Sequence, residues 1–178
     1  MLTEDQKTDL LRVARASALG QITGAQQTID LPQPLPQASG VFVTIKKNGE
    51  LRGCLGTLGC RDALGAEVAR CARDSASADP RFPPVSTMEI PELSFEISVL
   101  TPLEQIDPSH EDTIIVGRHG LLVEEGRRRG LLLPQVATEW GWTREQFLRQ
   151  TCRKAGLPDD AWQMGAQVYR FEAEVFGD

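Results

Sequence analysis

Val41-Phe42-Val43-Thr44-Ile45-Lys46-Lys47-Asn48-Gly49-Glu50-Leu51-Arg52-Gly53-Cys54-Leu55-Gly56-Thr57 is the stretch on which the reading of this chain turns. Residues 41–47 alternate apolar and polar side chains, as a half-buried strand does. Asn48-Gly49 is the strongest short hairpin signal, because a two-residue type I′ turn needs positive φ at both central positions. Residues 50–56 then form the return strand. With an unbroken register, Ile45 faces Arg52 and Val43 faces Cys54. Those four side chains share one face, and Phe42, Leu51 and Leu55 the other. A bulge at Gly53 would undo that arrangement.

Outward from the hairpin, helices and strands follow without strict alternation. Thr3 and Gln6 make a capping box, and Leu10, Val13, Ala14 and Ala18 follow at helical spacing, predicting a helix that ends near Gly20. Residues 30–40 carry prolines at 32, 34 and 36, an extended connector. Asp62 is placed to cap a second helix bearing Leu64, Val68, Cys71 and Ala72. Leu93, Phe95, Ile97 and Val99 mark a strand; residues 121–123 and 131–133 flank a charged tip at 124–130 and predict a second hairpin. Thr143 and Gln146 make another capping box, Gly156-Leu157-Pro158 stops that helix, and Tyr169, Phe171, Ala173 and Val175 mark a last strand. Hairpins with non-alternating helices predict an α+β fold, a largely antiparallel sheet packed with helices, in one domain spanning 1–178.

Composition narrows the function. Hydrophobic residues are 40% of the chain and charged residues 25%, enough for a sizeable core. Twenty-five acidic against 19 basic residues give a net charge of −6, a field that repels phosphate backbones. The acidic, polar start at Met1-Leu2-Thr3-Glu4-Asp5-Gln6 is unlike a signal peptide, and no apolar run reaches membrane-spanning length, so the expected compartment is the cytoplasm. Cys54, Cys60, Cys71 and Cys152 form no C-x-x-C pair, and His110 and His119 lie far along the chain. No metal site is expected, nor does any motif call for a cofactor. No Gly-x-Ser-x-Gly elbow, His-Glu-x-x-His helix or dinucleotide fingerprint is present.

The residues with chemical potential cluster in three places. A thiol attacks as thiolate, which a nearby cation favours. Arg52 lies two residues from Cys54, roughly 7 Å away along one strand face. Gly53 and Gly56, with Thr57 beside them, leave backbone open to a ligand. The opposing reading makes Cys54 a small core residue beside Val43. Asp79-Pro80-Arg81-Phe82-Pro83-Pro84 is rigid enough to fix Asp79 for orienting a base and Arg81 for binding an anion. Alternatively those charges satisfy loop backbone while Phe82 plugs the core. His119, in Gly117-Arg118-His119-Gly120 between two strands, is placed as a mobile acid or base, or as a surface turn residue. The basic run Arg127-Arg128-Arg129 is a solvated tip or a contact for an acidic partner. Glu96 and Glu172 lie on strands, and nothing in the sequence pairs them.

Four stretches, taken in order, resemble the AMMECR-type domain family, AmmeMemoRadiSam system protein A. They are Leu51-Arg52-Gly53-Cys54-Leu55-Gly56-Thr57; residues 79–84 with the strand from Phe95 to Leu100; residues 117–122 with 132–137; and Lys154-Ala155-Gly156-Leu157-Pro158. The first matches the family signature, usually written with isoleucine where Leu55 stands. The resemblance implies an α+β protein of two unequal subdomains around a cleft, the larger holding both termini. The signature and the 79–84 loop would contribute to that cleft. It also implies association with a Memo-like protein and a radical S-adenosylmethionine enzyme, and a role in modifying RNA or a small-molecule substrate.

Overall fold

The structure is a computed structural model that describes residues 1–25, 27–31 and 34–178. Among the described residues, four α-helices and seven β-strands divide between two compact units, Met1–Leu100 with Glu174–Asp178, and Thr101–Ala173. The first unit contains both chain ends. Of the expected proline-rich connector, Pro32 and Gln33 lie outside the described residues; the remainder has no helix or strand before Gly40.

In the first unit, strand β1 (Gly40–Lys47) lies between β2 (Glu50–Thr57) and β3 (Leu93–Leu100), antiparallel to both. The turn between β1 and β2 has Asn48 at φ 51° and Gly49 at φ 82°, as the Asn-Gly pair predicts. Helices α1 (Glu4–Thr23) and α2 (Leu64–Ser77) pack on one sheet face. There Val41, Val43, Ile45, Phe95 and Ile97 are buried with Leu10, Val68, Cys71 and Ala72. Helix α1 has the expected capping box but runs to Thr23, ending at Gly24. Asp62 does not cap α2. The cap position is Ala63, and the buried Glu67 carboxylate reaches back to accept the Arg61 and Asp62 backbone N–H groups, while Arg70 neutralises it.

The register expected for the hairpin holds only next to its turn. Lys47 faces Glu50 and Lys46 faces Leu51, but Ile45 then faces Gly53, leaving Arg52 as an extra residue in β2. This bulge reverses every facing beyond it. Gly53 and Leu55 turn to the helical side with Ile45 and Val43, while Cys54 faces Thr44 on the opposite side. A Cβ at Gly53 would lie 2.1 Å from the Ser75 carbonyl oxygen, so α2 can approach β2 only over a glycine. The Ser75 hydroxyl accepts from the Leu55 N–H at 2.8 Å and donates to the Val43 carbonyl at 2.7 Å, joining two facing residues of the hairpin.

The Arg52 guanidinium is engaged by partners other than the thiol. It forms a two-pronged pair with Glu89 at 2.9 and 3.2 Å and donates to the Pro83 and Pro84 carbonyls. The 79–84 loop is irregular, as its prolines require. Phe82 is half-buried near the Arg52 and Arg81 guanidiniums, and Val85, not Phe82, enters the core.

The second unit holds β4 (Glu104–Ile106), β5 (His119–Glu125), β6 (Arg128–Leu132) and most of β7 (Gln167–Gly177). Strand β7 pairs with β4 on one side and β5 on the other, and β5 pairs with β6, all antiparallel. Helices α3 (Pro134–Glu139) and α4 (Arg144–Lys154) bury Ala137, Phe147, Leu148 and Cys152 with Leu121, Val123 and Val168. Helix α4 starts at the expected capping box. It ends with Gly156 at φ 74°, where Leu157 N–H bonds the Cys152 carbonyl and Gly156 N–H that of Arg153.

Two consequences are measurable. Gly53→Ala forces a methyl group onto the α2 backbone and should cost about 2–3 kcal/mol in urea unfolding, whereas Gly59→Ala, which meets no atom within 4 Å, should stay within about 0.5 kcal/mol. Arg52, the Ser86 N–H and Lys47 pull the Glu89 carboxyl from 4.5 down to about 2. A depressed carboxylate stabilises the fold above its unfolded value and loses that contribution as pH falls toward its folded value. Glu89→Gln should therefore cost on the order of 2 kcal/mol at pH 7. The gap to the parent protein should narrow steadily below about pH 4.5 in pH-dependent urea titrations.

Candidate functional site

Strand β2 is the edge strand of the first unit, pairing there with β1 alone, so the peptide groups of Cys54 need partners other than a neighbouring strand. The 79–84 loop supplies them. Asp79, which follows α2 directly, is buried, and its Oδ2 accepts the Cys54 N–H at 2.9 Å. Arg81 forms a bidentate pair with the same carboxylate, at 3.0 and 2.8 Å, and donates to the Cys54 carbonyl at 3.2 Å. Asp79 also accepts the Arg81 backbone N–H at 3.0 Å. The Arg81 guanidinium, followed by the Cys54 and Arg81 peptides, holds the Asp79 carboxyl far below the usual carboxylate range despite its burial. Both peptide groups of Cys54 are thus held by one ion pair.

The thiol is half-buried on the sheet face opposite the helices, where the Thr44 hydroxyl donates to Cys54 Sγ at 3.2 Å. Thr44 faces Glu96 across β1 and β3, so Cys54, Thr44 and Glu96 form one row across three strands. Lys46 reaches Glu96 at 3.0 Å on the same face. The sequence reading missed Thr44 and Lys46 and left Glu96 unpaired. Alternation along β1 places Thr44 and Lys46 on one face, and the pairing of β1 with β3 adds Glu96.

The other expected ligand contacts are occupied by the protein itself. Gly53 lies against α2, and a Cβ at Gly56 would meet the Phe42 ring at 2.4 Å. Thr57 Oγ1 closes a local turn with the Gly59 backbone. Arg81 remains half-exposed, with its Nη1 group making no hydrogen bond among the described residues.

His119 belongs to the second unit and is not a mobile loop residue. It is the first residue of β5 and only 5% exposed. Its Nδ1 accepts the Ile115 N–H at 2.9 Å, which leaves the ring proton on Nε2. Burial, and then Arg170, lower its pKa, and protonating Nδ1 would also break the Ile115 bond. This histidine is therefore a neutral, fixed donor at neutral pH. A nitrogen carrying that proton is no metal ligand, and no cluster of three or more His, Cys, Asp or Glu suited to a metal occurs among the described residues.

All four cysteines are free thiols. Burial pushes Cys71 up to about 11 and also raises Cys60 and Cys152. No helix among the described residues is long and apolar enough to cross a membrane.

Proteins similar to this chain match it over nearly its full length. A protein of Methanothermobacter thermautotrophicus is 44% identical over 183 residues, covering 98% of this chain and 95% of its own. Protein TK0174 of Thermococcus kodakarensis is 44% identical, covering 94% of this chain and 87% of its own. The crystal structure of protein PH0010 from Pyrococcus horikoshii superposes with a TM-score of 0.74 at 44% identity, covering 95% of this chain and 89% of that one. The sequence pattern of AMMECR1 extends from residue 11 to residue 176, through both units and the clamped Cys54 strand, and the chain belongs to the AMMECR1 family.

Proposed function

We propose that the protein is a thiol-dependent enzyme, or the thiol-bearing component of one, with Cys54 as nucleophile or covalent carrier. The observation that carries this reading is the setting of Cys54. Its side chain is half-exposed beside a donating hydroxyl, while both its peptide groups are fixed by the Asp79–Arg81 pair. A hydroxyl that donates to sulfur can hold the sulfur in one orientation, and a fixed backbone reduces the cost of bringing it to an electrophile. Nη1 of Arg81 is available to an anionic group of the substrate. The family resemblance supports a role in a modification pathway, with a Memo-like protein and a radical S-adenosylmethionine enzyme as partners and RNA or a small molecule as substrate.

A second reading, a non-catalytic module that binds a substrate or docks those partners, is favoured by the fate of Arg52. The cation expected to activate the thiol is engaged by Glu89 and the 83–84 carbonyls. The loop would then be rigid for recognition alone.

Iodoacetamide labelling of the folded protein at pH 7, resolved for each cysteine by mass spectrometry, separates the two. The thiol reading expects Cys54 to label well before Cys60, Cys71 and Cys152. Thr44→Val should slow Cys54 about 3- to 10-fold, the effect of one hydrogen bond worth roughly 0.5–1.5 kcal/mol, without lowering the melting temperature appreciably. Cys54 labelling no faster than the buried Cys71 would rule out the thiol reading. Retention of partner binding by Cys54→Ser would then support docking.

A further inference from the structure

The second unit contains a cavity of about 330 Å³ lined by Thr101, Pro102, Glu104, Ile115, Arg118, His119, and Arg170 to Glu172. Its polar groups are mostly satisfied. Arg170 holds Glu104 through two hydrogen bonds at 3.0 and 2.9 Å and donates to the Thr113 carbonyl. Arg118 donates from Nε to Glu172 at 2.6 Å. His119 is an exception. Its tautomer, set by the Ile115 bond, leaves an N–H on Nε2 that has no acceptor among the described residues, and Glu172 Oε1 stands 3.7 Å away.

A donor on a side chain more than nine-tenths buried is costly to leave without a partner. Here it faces a cavity of ligand size rather than packed protein. The terminal Nη1 and Nη2 groups of Arg118 donate no hydrogen bond among the described residues either, and that side chain is 62% exposed. The unused donors are therefore one rigid N–H and one planar fork, with Glu172 Oε2 the acceptor left beside them. Oxygens of an anion match both donors.

We propose that this cavity binds a small oxyanion, the carboxylate or phosphoryl group of a metabolite, on His119 Nε2–H and the Arg118 fork. This site goes beyond the Cys54 reading and does not depend on it. Glu104 and Glu172 balance the two arginines, so directed donors rather than excess charge provide the attraction. A bare ion should bind with a Kd on the order of 1 mM. Ile115, half-exposed at the rim, and Pro102 offer apolar surface to the carbon body of a larger ligand.

The full chain, labelled with ¹⁵N, should be titrated with inorganic phosphate and separately with sodium acetate, chloride holding ionic strength constant. The readout is the Nε2 resonance of His119 in a long-range ¹H–¹⁵N correlation spectrum. A saturating shift with at least one probe is expected. Phosphate alone identifies a phosphoryl site, acetate alone a carboxylate site, and both a general oxyanion site. Arg118→Gln, at an exposed position that should leave folding intact, should weaken binding about tenfold. Linear, non-saturating shifts with both probes, an equal saturating response to chloride, or unchanged affinity in Arg118→Gln would each overturn the proposal.

Discussion

One extra residue in an edge strand governs the arrangement of the first unit. Between Lys46 and Ile45 the partner strand advances from Leu51 to Gly53, and Arg52 is left over. Because strand side chains alternate, a single insertion exchanges the two faces for all that follows. A glycine is delivered to the face that α2 must approach, and the cysteine goes to the face without helices. The bulged arginine reaches Glu89 and the 83–84 carbonyls, securing the loop that in turn holds the cysteine peptide. Helix packing, loop order and thiol presentation all follow from that one irregularity.

Local signals in the sequence were informative where local chemistry decides the structure. The Asn-Gly turn, both capping boxes and the glycine stop of α4 are interactions among residues a few positions apart, and each stands where the pattern puts it. The register beyond Arg52 was not legible, because the bulge answers to α2, residues 64–77, whose Ser75 backbone meets Gly53. Asp62 failed as a cap for a related reason: Glu67, five residues on, reaches the same peptides with Arg70 beside it. His119 looked like a loop residue because flanking glycines suggest freedom. Its burial depends on β7, some fifty residues later, whose Phe171 fits over Gly120.

The candidate site was legible in its parts rather than in its connections. Cys54, Asp79 and Arg81 do come together, but through the cysteine peptide rather than around its sulfur. The group nearest in role to an activator is the Thr44 hydroxyl, a neutral donor. The two nearby arginines of the loop and bulge, Arg81 and Arg52, are paired with Asp79 and Glu89. The family relationship adds a shared architecture across archaeal relatives, and the chemistry must be argued from these contacts.

The clamp on Cys54 also bears on how the chain avoids its own copies. Strand β2 lies at the end of the sheet order, and such a strand offers unpaired N–H and C=O groups to any foreign strand. Asp79 and Arg81 occupy those groups at Cys54. The bulge adds local twist, which a flat incoming strand cannot follow. The loop that holds the cysteine peptide is thereby also a guard against edge-to-edge aggregation, so sequence drift in residues 79–81 would threaten solubility.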